Sequence, residues 1–310
     1  MLETLHLTKQ FKRLKAVDDV NLHLNKGEIV GLLGPNGAGK STTISIISTL
    51  MPPTSGEVLL EGESVLQNPG KIRKIMGVVP QEIALYNDFS ARENLHFFGR
   101  IYRMSGERLN RKIDEVLEII GLSERPKDLV KTFSGGMKRR LNIGAALLHD
   151  PEFLIMDEPT VGIDPQSRNY ILETVKRLNE EKRITVLYTS HYMEEVEFLC
   201  DRIYIMDQGR IIAHGTKEEL KRLISGETTI LLKVGQVNER FMGALGNHPV
   251  VKNFTAEDNH FTILTEKEGN VFSHLFKLAE ETDTDITSVE IKTPTLEDVF
   301  LHLTGKALRD

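Results

Sequence analysis

Along the first two-thirds of the chain, unbroken apolar blocks alternate with stretches of helical periodicity. The blocks at 29–33, 76–79, 153–156 and 203–206 run apolar without a polar break, and that at 185–188 is apolar after Thr185. A run of four or five such residues suits a strand covered on both faces, as in a parallel sheet with helices on either side. Residues 1–225 are therefore expected to form an α/β core with a largely parallel sheet. "DQGR", between Ile203–Met206 and Ile211–Ala213, reads as a hairpin turn at the edge of that sheet. From about 89 to 148 the strand blocks stop. Leu109, Ile113, Val116, Leu117 and Ile120, and again Met137, Leu141, Ala145 and Leu148, recur at helical spacing, which predicts an inserted helical subdomain.

After Ile224 the pattern changes. "SGETT" reads as a linker, and residues 226–310 as a small α+β domain. Strand 228–234, helix 238–245, strands 249–255 and 260–265, helix 269–281 and strand 286–292 give the βαββαβ order of a ferredoxin-like unit. A closing helix follows, with Thr295 placed to cap it and Leu296, Val299, Phe300 and Leu303 on one face. This part carries no phosphate loop, metal-ligand cluster or acidic pair at a strand end, so it is expected not to be catalytic. No internal repeat is visible.

The first chemical signal follows the apolar block at 29–33. Gly34-Pro35-Asn36-Gly37-Ala38-Gly39-Lys40-Ser41-Thr42 fits the P-loop pattern, with a strand before it and a helix after it. Gly34, Gly37 and Gly39 lack the Cβ atoms that would hold phosphate oxygens away from the backbone, so successive N–H groups can turn inward. The following helix aims its positive end at the same point. Lys40 supplies a charge for the β and γ phosphates, and Ser41 a hydroxyl for a magnesium ion.

Two further elements complete the pattern. In "FLIMDEP", carboxylates appear where a buried strand ends: Asp157 can hold magnesium through water, and Glu158 can polarise an attacking water. In "FSGGMKRRL", Ser134 can cap a helix whose first backbone N–H groups, at Gly135 and Gly136, stay open as a second anion site.

On these three elements the chain resembles an ATP-binding cassette ATPase, that is, a P-loop NTPase with an inserted helical subdomain. The family's Leu-Ser-Gly-Gly-Gln reads Phe133-Ser134-Gly135-Gly136-Met137 here, keeping the serine and both glycines. The resemblance implies further roles. Phe11 corresponds to the aromatic residue that stacks on adenine, and Gln81 to the glutamine that senses magnesium and the transporter partner. Asp164 corresponds to the aspartate that communicates across the dimer, and His191 to the histidine that contacts the γ phosphate. It also implies ATP and Mg²⁺ as ligands, with two cassettes sandwiching two ATPs head to tail. The chain thus needs a second copy or a homologous cassette. "TPTLEDVFLHLTG" resembles the tail of daunorubicin-resistance-type exporters, which implies separate multi-span permease subunits and export of a hydrophobic drug, antibiotic or lipid.

Composition sharpens this picture at three points. A formal net charge of -6 and a pI near 6.0 argue against a general nucleic-acid binder, although the cluster Lys138-Arg139-Arg140 leaves a local contact open. The single cysteine, Cys200, rules out an internal disulfide framework and reads as core packing. No run approaches the ~20 apolar residues of a spanning helix, and the N-terminus carries no signal-peptide core. The expected place is the cytoplasm, peripheral to the inner face of the cell membrane, with the membrane part on another chain. Two competing classes remain: a nucleic-acid cassette machine, which usually carries two cassettes or a long coiled-coil insertion, and a nucleotide-responsive module with little turnover, against which Glu158 weighs.

Overall fold

The computed structural model describes residues 1–224, 227–266, 271–292 and 295–304, and it divides into a first unit, Met1–Lys217, and a second from Glu218 onward. The linker positions Ser225 and Gly226 lie outside the described residues, as do helix positions 269 and 270 and the flanks of the C-terminal motif at 293–294 and 305.

The first unit opens with β1 (Leu2–Phe11), β2 (Leu14–Leu24) and β3 (Ile29–Leu33), then α1 (Lys40–Ile47), β4 (Ser55–Leu60) and β5 (Glu63–Ser64). Next come α2 (Pro69–Ile75) and β6 (Met76–Val79), followed by α3 (Ala91–Ile101), α4 (Gly106–Ile119), a 3₁₀ turn (Val130–Thr132) and α5 (Gly135–Leu147). The chain continues through β7 (Phe153–Asp157), α6 (Pro165–Lys182), β8 (Thr185–Ser190), α7 (Met193–Leu199), β9 (Arg202–Asp207) and β10 (Arg210–Gly215), and α8 (Lys217–Arg222) begins at the last residue of the first unit and continues into the second.

The apolar blocks form one sheet of order β10-β9-β3-β8-β7-β6, parallel throughout except for the β9–β10 hairpin at its edge. That hairpin turns at Gln208 and Gly209, both with positive φ, the backbone a tight two-residue turn demands. A second, antiparallel sheet of order β2-β1-β4-β5 was not among the strands read from sequence. Its strands carry interrupted apolar patterns and register shifts, because only one face is buried. Leu2, Leu22 and Val58 from this sheet share a core with Leu32, Phe153 and Leu187 from the parallel sheet and Ile46 of α1. Burying each such side chain contributes about 1.5–3 kcal/mol.

Between β6 and β7 the structure is helical. The α4 positions Leu109, Ile113, Val116 and Leu117 are all buried, and Leu141 of α5 joins them. Ser90 caps α3 in a reciprocal box with Glu93, which fixes where that helix starts.

The second unit contains β11 (Glu227–Val234), α9 (Glu239–Gly246), β12 (Val251–Glu257), β13 (His260–Glu266), α10 (Val271–Glu281), β14 (Ile286–Lys292) and α11 (Leu296–Thr304). Its antiparallel sheet runs β12-β13-β11-β14, the strand order of a ferredoxin-like unit, around Phe241, Phe261, Ile230 and Leu275. Thr295 caps α11 as expected, its hydroxyl accepting from the Asp298 amide at 3.2 Å. Leu296, Val299 and Phe300 are buried within the chain, whereas Leu303 is partly exposed, so the apolar face is narrower than its sequence pattern.

Candidate active site

The parallel register sets the site. β3 pairs with β8 so that Leu33 lies beside Ser190, and β7 pairs with β8 so that Asp157 lies beside Thr189. The three strands end together, and the loops leaving them converge at the position where open α/β sheets place their ligands.

Gly34 to Thr42 leaves β3 and turns into α1 with Gly39 at φ 108°, a left-handed value that a side chain would strain. The glycines here serve two purposes. A Cβ on Gly34 would lie 2.2 Å from the Met206 carbonyl and one on Gly39 2.3 Å from the Ala16 carbonyl, whereas a Cβ on Gly37 would meet open space. Packing against β9 and β2 thus requires two of them, in addition to the phosphate approach expected of all three. Asn36 to Thr42 line a cavity of about 460 Å³ together with Phe11, Gln81 and Glu158. Phe11 stands exposed at the edge of this cavity.

Lys40 and Glu158 are both buried at about 4% exposure, and they pair at 3.0 Å. The Lys40 ammonium also donates to the carbonyls of Gly34 at 2.7 Å and Pro35 at 3.2 Å. Gln81 Nε2 donates to the other Glu158 oxygen at 3.1 Å, and His191 Nδ1 lies 3.4 Å from the first without the alignment of a hydrogen bond. Burial pushes the Glu158 carboxyl up, but the hydrogen bond and charge of Lys40, with His191 behind them, outweigh it and hold it below its ordinary value. Glu158 itself sits at φ 44°, a left-handed conformation unusual for a non-glycine residue. Ser41 Oγ donates to Asp157 Oδ1 at 3.4 Å.

The structure therefore brings Lys40, Ser41, Gln81, Asp157, Glu158 and His191 together. Ser134, Gly135, Gly136 and Asp164 do not line that cavity. Ser134 caps α5, accepting from the Met137 amide at 3.3 Å, and both it and Gly135 are exposed. Asp164 caps α6 through the Ser167 amide, and Gly136 packs so tightly on Ser167 that an added Cβ would lie 2.0 Å from its Oγ. These residues form a second cluster within the same chain.

Two contributors carry no sequence signal. Thr189 bonds Asp157 Oδ1 at 2.8 Å and receives the Glu158 amide at 2.9 Å, but a threonine at a strand end is ordinary β composition. Arg139 is buried and donates to the Pro80 and Gln81 carbonyls at 2.9 and 2.7 Å, which anchors the loop carrying Gln81 to α5. Arg140 donates to the carbonyls of Ile120 and Gly121. Those two guanidinium groups of the basic cluster are spent on backbone oxygens, not presented as a charged patch.

Residues 17–161 match the ABC transporter family model, and residues 215–304 match the ATP-binding protein DrrA1-3-like, C-terminal domain. The chain is 50% identical to the linearmycin resistance ATP-binding protein LnrL of Bacillus subtilis (strain 168), covering 100% of both chains. It is 35% identical to the daunorubicin resistance ATP-binding protein DrrA3 of Streptomyces coeruleorubidus, covering 96% of this chain and 93% of that one. Among solved structures, an ATP-binding subunit of an ABC transporter superposes with a TM-score of 0.65 at 31% identity, over 72% of this chain and 92% of that chain. A dimeric cassette in a post-hydrolysis state, bound to ADP and Pi, superposes with a TM-score of 0.64 at 30% identity, over 70% of this chain and 98% of its own. Cassettes of this family pair with one another and work with membrane permease components. The chain belongs to the ATP-binding cassette family: it is an ATPase, the ATP-binding subunit of an ABC transporter, with a DrrA-like C-terminal domain.

Proposed function

We propose that this subunit hydrolyses ATP in a head-to-tail pair of cassettes and so drives export of a hydrophobic compound, an antibiotic, drug or lipid, through separate permease subunits. The observation that carries the chemistry is the buried Lys40–Glu158 pair at the mouth of the P-loop. The loop amides and the start of α1 bind the phosphates, and Phe11 stacks on the base. A γ phosphate competes with Glu158 for the Lys40 ammonium. Losing that partner raises the carboxyl from its depressed value and makes it a stronger base for the attacking water. Gln81 and His191 stand on either side of the same carboxylate and orient that water.

A magnesium ion fits the hard oxygen donors gathered here, the Ser41 hydroxyl, the Asp157 carboxylate and the Gln81 amide. When bound it neutralises charge on the phosphate oxygens. Ser134, Gly135, Gly136 and Asp164 stand apart from the cavity, which supports their serving the nucleotide of the second copy or homologous cassette. ATP then acts as interfacial glue that hydrolysis removes.

The cargo class rests on the relatives' names, linearmycin and daunorubicin resistance proteins. Among the described residues no helix is long and apolar enough to cross a membrane, which supports a peripheral subunit on the inner face of the cell membrane. For the permease we assign the exposed aromatic cluster of Tyr86, Phe89 and Phe97, in which the Phe97 and Phe89 ring centroids lie 4.8 and 5.3 Å from that of Tyr86. The domain beyond residue 225 tunes cassette pairing or permease assembly.

The test is Glu158→Gln, which keeps size and hydrogen bonding but removes the base. Turnover should fall by about 10²–10⁴-fold while ATP affinity is kept, and a dimer should accumulate with ATP and magnesium on size exclusion. Normal hydrolysis by this variant sinks the assignment.

A further inference from the structure

We propose that Glu195 is a positioning residue for hydrolysis, its buried carboxylate locking the segment that carries Glu158 to the segment that carries His191. Glu195 lies on α7, only 2% exposed, and lines neither the P-loop nor its cavity. Its Oε2 accepts three hydroxyls: Thr160 at 2.8 Å, Ser190 at 2.9 Å and Tyr188 at 3.0 Å. Thr160 is two residues beyond Glu158, and Ser190 immediately precedes His191. One oxygen therefore ties together the loops leaving β7 and β8. Ser190 extends the tie by accepting the Tyr192 amide at 2.9 Å, so His191 is fixed on both sides. On the far side, Arg168 of α6 brings its Nε to 3.4 Å from Glu195 Oε1, a charge contact without hydrogen-bond alignment, and lies over the Tyr192 ring.

Burying a carboxylate that touches no ligand is costly unless its bonds are well made. Here they restrain a contact that tolerates little movement. Glu158 is held in a left-handed backbone conformation, and His191 Nδ1 approaches its carboxylate at 3.4 Å. A misplacement of about 1 Å at such a site costs roughly 10²-fold in rate. Binding should be spared, because no hydrogen bond joins Lys40 to Glu195, Thr160, Ser190 or Tyr188: its ammonium bonds the Gly34 and Pro35 carbonyls and pairs with Glu158.

The inference rests on the reading of Glu158 and His191 as the hydrolytic groups, so Glu158→Gln is assayed in parallel on the full-length chain. Glu195→Ala should lower kcat by about tenfold or more with KM and the calorimetric ATP Kd within about twofold of the parent. Glu195→Gln, which keeps an acceptor oxygen for the three hydroxyls, should restore most of the rate. Thr160→Val, removing one arm, should lower kcat by about threefold with KM unchanged. A folded Glu195→Ala with parental kcat overturns the proposal, as does Glu195→Gln failing to restore the rate. If Glu195→Ala does not fold, Thr160→Val decides: parental kcat, or parallel loss of rate and ATP affinity, overturns it. An inactive Glu158→Gln beside a fully active Glu195→Ala refutes this inference alone, whereas an active Glu158→Gln refutes the hydrolytic reading beneath it.

Discussion

The two units bury different things. Among the described residues, the first takes Lys40, Lys112, Arg139, Asp157, Glu158 and Glu195 below the surface, whereas the second buries only apolar side chains and two polar ones, Thr265 and Thr284. Both threonines satisfy themselves locally, Thr265 on the Thr228 carbonyl and Thr284 on the Thr282 hydroxyl and carbonyl. A buried ionisable group costs several kcal/mol unless paired, so a fold carries it only where something compensates. In the first unit, five of the six belong to the site or hydrogen-bond the segments that carry it. Lys112 is the exception, spent on Asp150 and Glu115. The contrast locates chemistry without reference to any motif: among the described residues, the second unit buries no ionisable side chain.

The sharpest way to break this comparison is a cavity in the second unit. Phe241→Ala removes a fully buried ring that meets Phe261 edge-on, and should cost about 3–5 kcal/mol. Denaturation followed by a probe in each unit should show the loss in the second, while ATP hydrolysis below its melting range stays at the parental rate. A matching collapse of ATP binding would mean the two cores are not energetically separate.

Lys40→Ala comes next. Removing a charge-assisted donor from the phosphates should weaken ATP binding by about 10–100-fold, measured by calorimetry. Equal affinity in parent and variant would remove the P-loop assignment.

The Lys40–Glu158 pair should make the first unit acid-sensitive. Burial raises the Glu158 carboxyl, Lys40 and His191 lower it, and the net effect in the folded chain is below the ordinary value of 4.5. The native state then binds fewer protons than the unfolded one. The stabilisation is complete above that ordinary value and drains away as pH falls through the lower folded value. Glu158→Gln should flatten the acid limb of the stability curve; an unchanged limb would show that the pair contributes nothing.

The smallest effect sharpens the other side. Thr295→Ala removes the cap of α11 and should cost about 1 kcal/mol, read as a shift in the denaturation midpoint of the second unit.

Docking offers a control outside both cores. Tyr86→Glu or Phe89→Glu should lower recovery with the permease while basal ATPase persists, and undiminished recovery for both would remove that surface.

Much of this protein was legible in its sequence because the signals are local. An apolar block covered on both faces names its own strand, as at 153–156, and a phosphate loop needs consecutive residues, as from Gly34 to Thr42. Ser134 and Thr295 could be read as caps because a cap bonds within its own first turn. The βαββαβ order of the second unit followed from periodicity for the same reason.

The antiparallel sheet of β1, β2, β4 and β5 could not be read so easily, since strands buried on one face and broken by bulges leave a weak pattern. Nor could the roles of Arg139, Thr189 and Glu195. Arg139 looked like surface charge until the fold placed the Pro80 and Gln81 carbonyls against it, and Glu195 sits in an acidic helix start that reads as solvated. Each acts on residues brought close only by the parallel register of β3, β7 and β8 or by the packing of α5 on the loop after β6. The sequence by itself determined which chemistry was available, through residues adjacent along the chain. Tertiary structure alone decided which groups meet, because an ion pair such as Lys40–Glu158 is set by strand order and not by spacing.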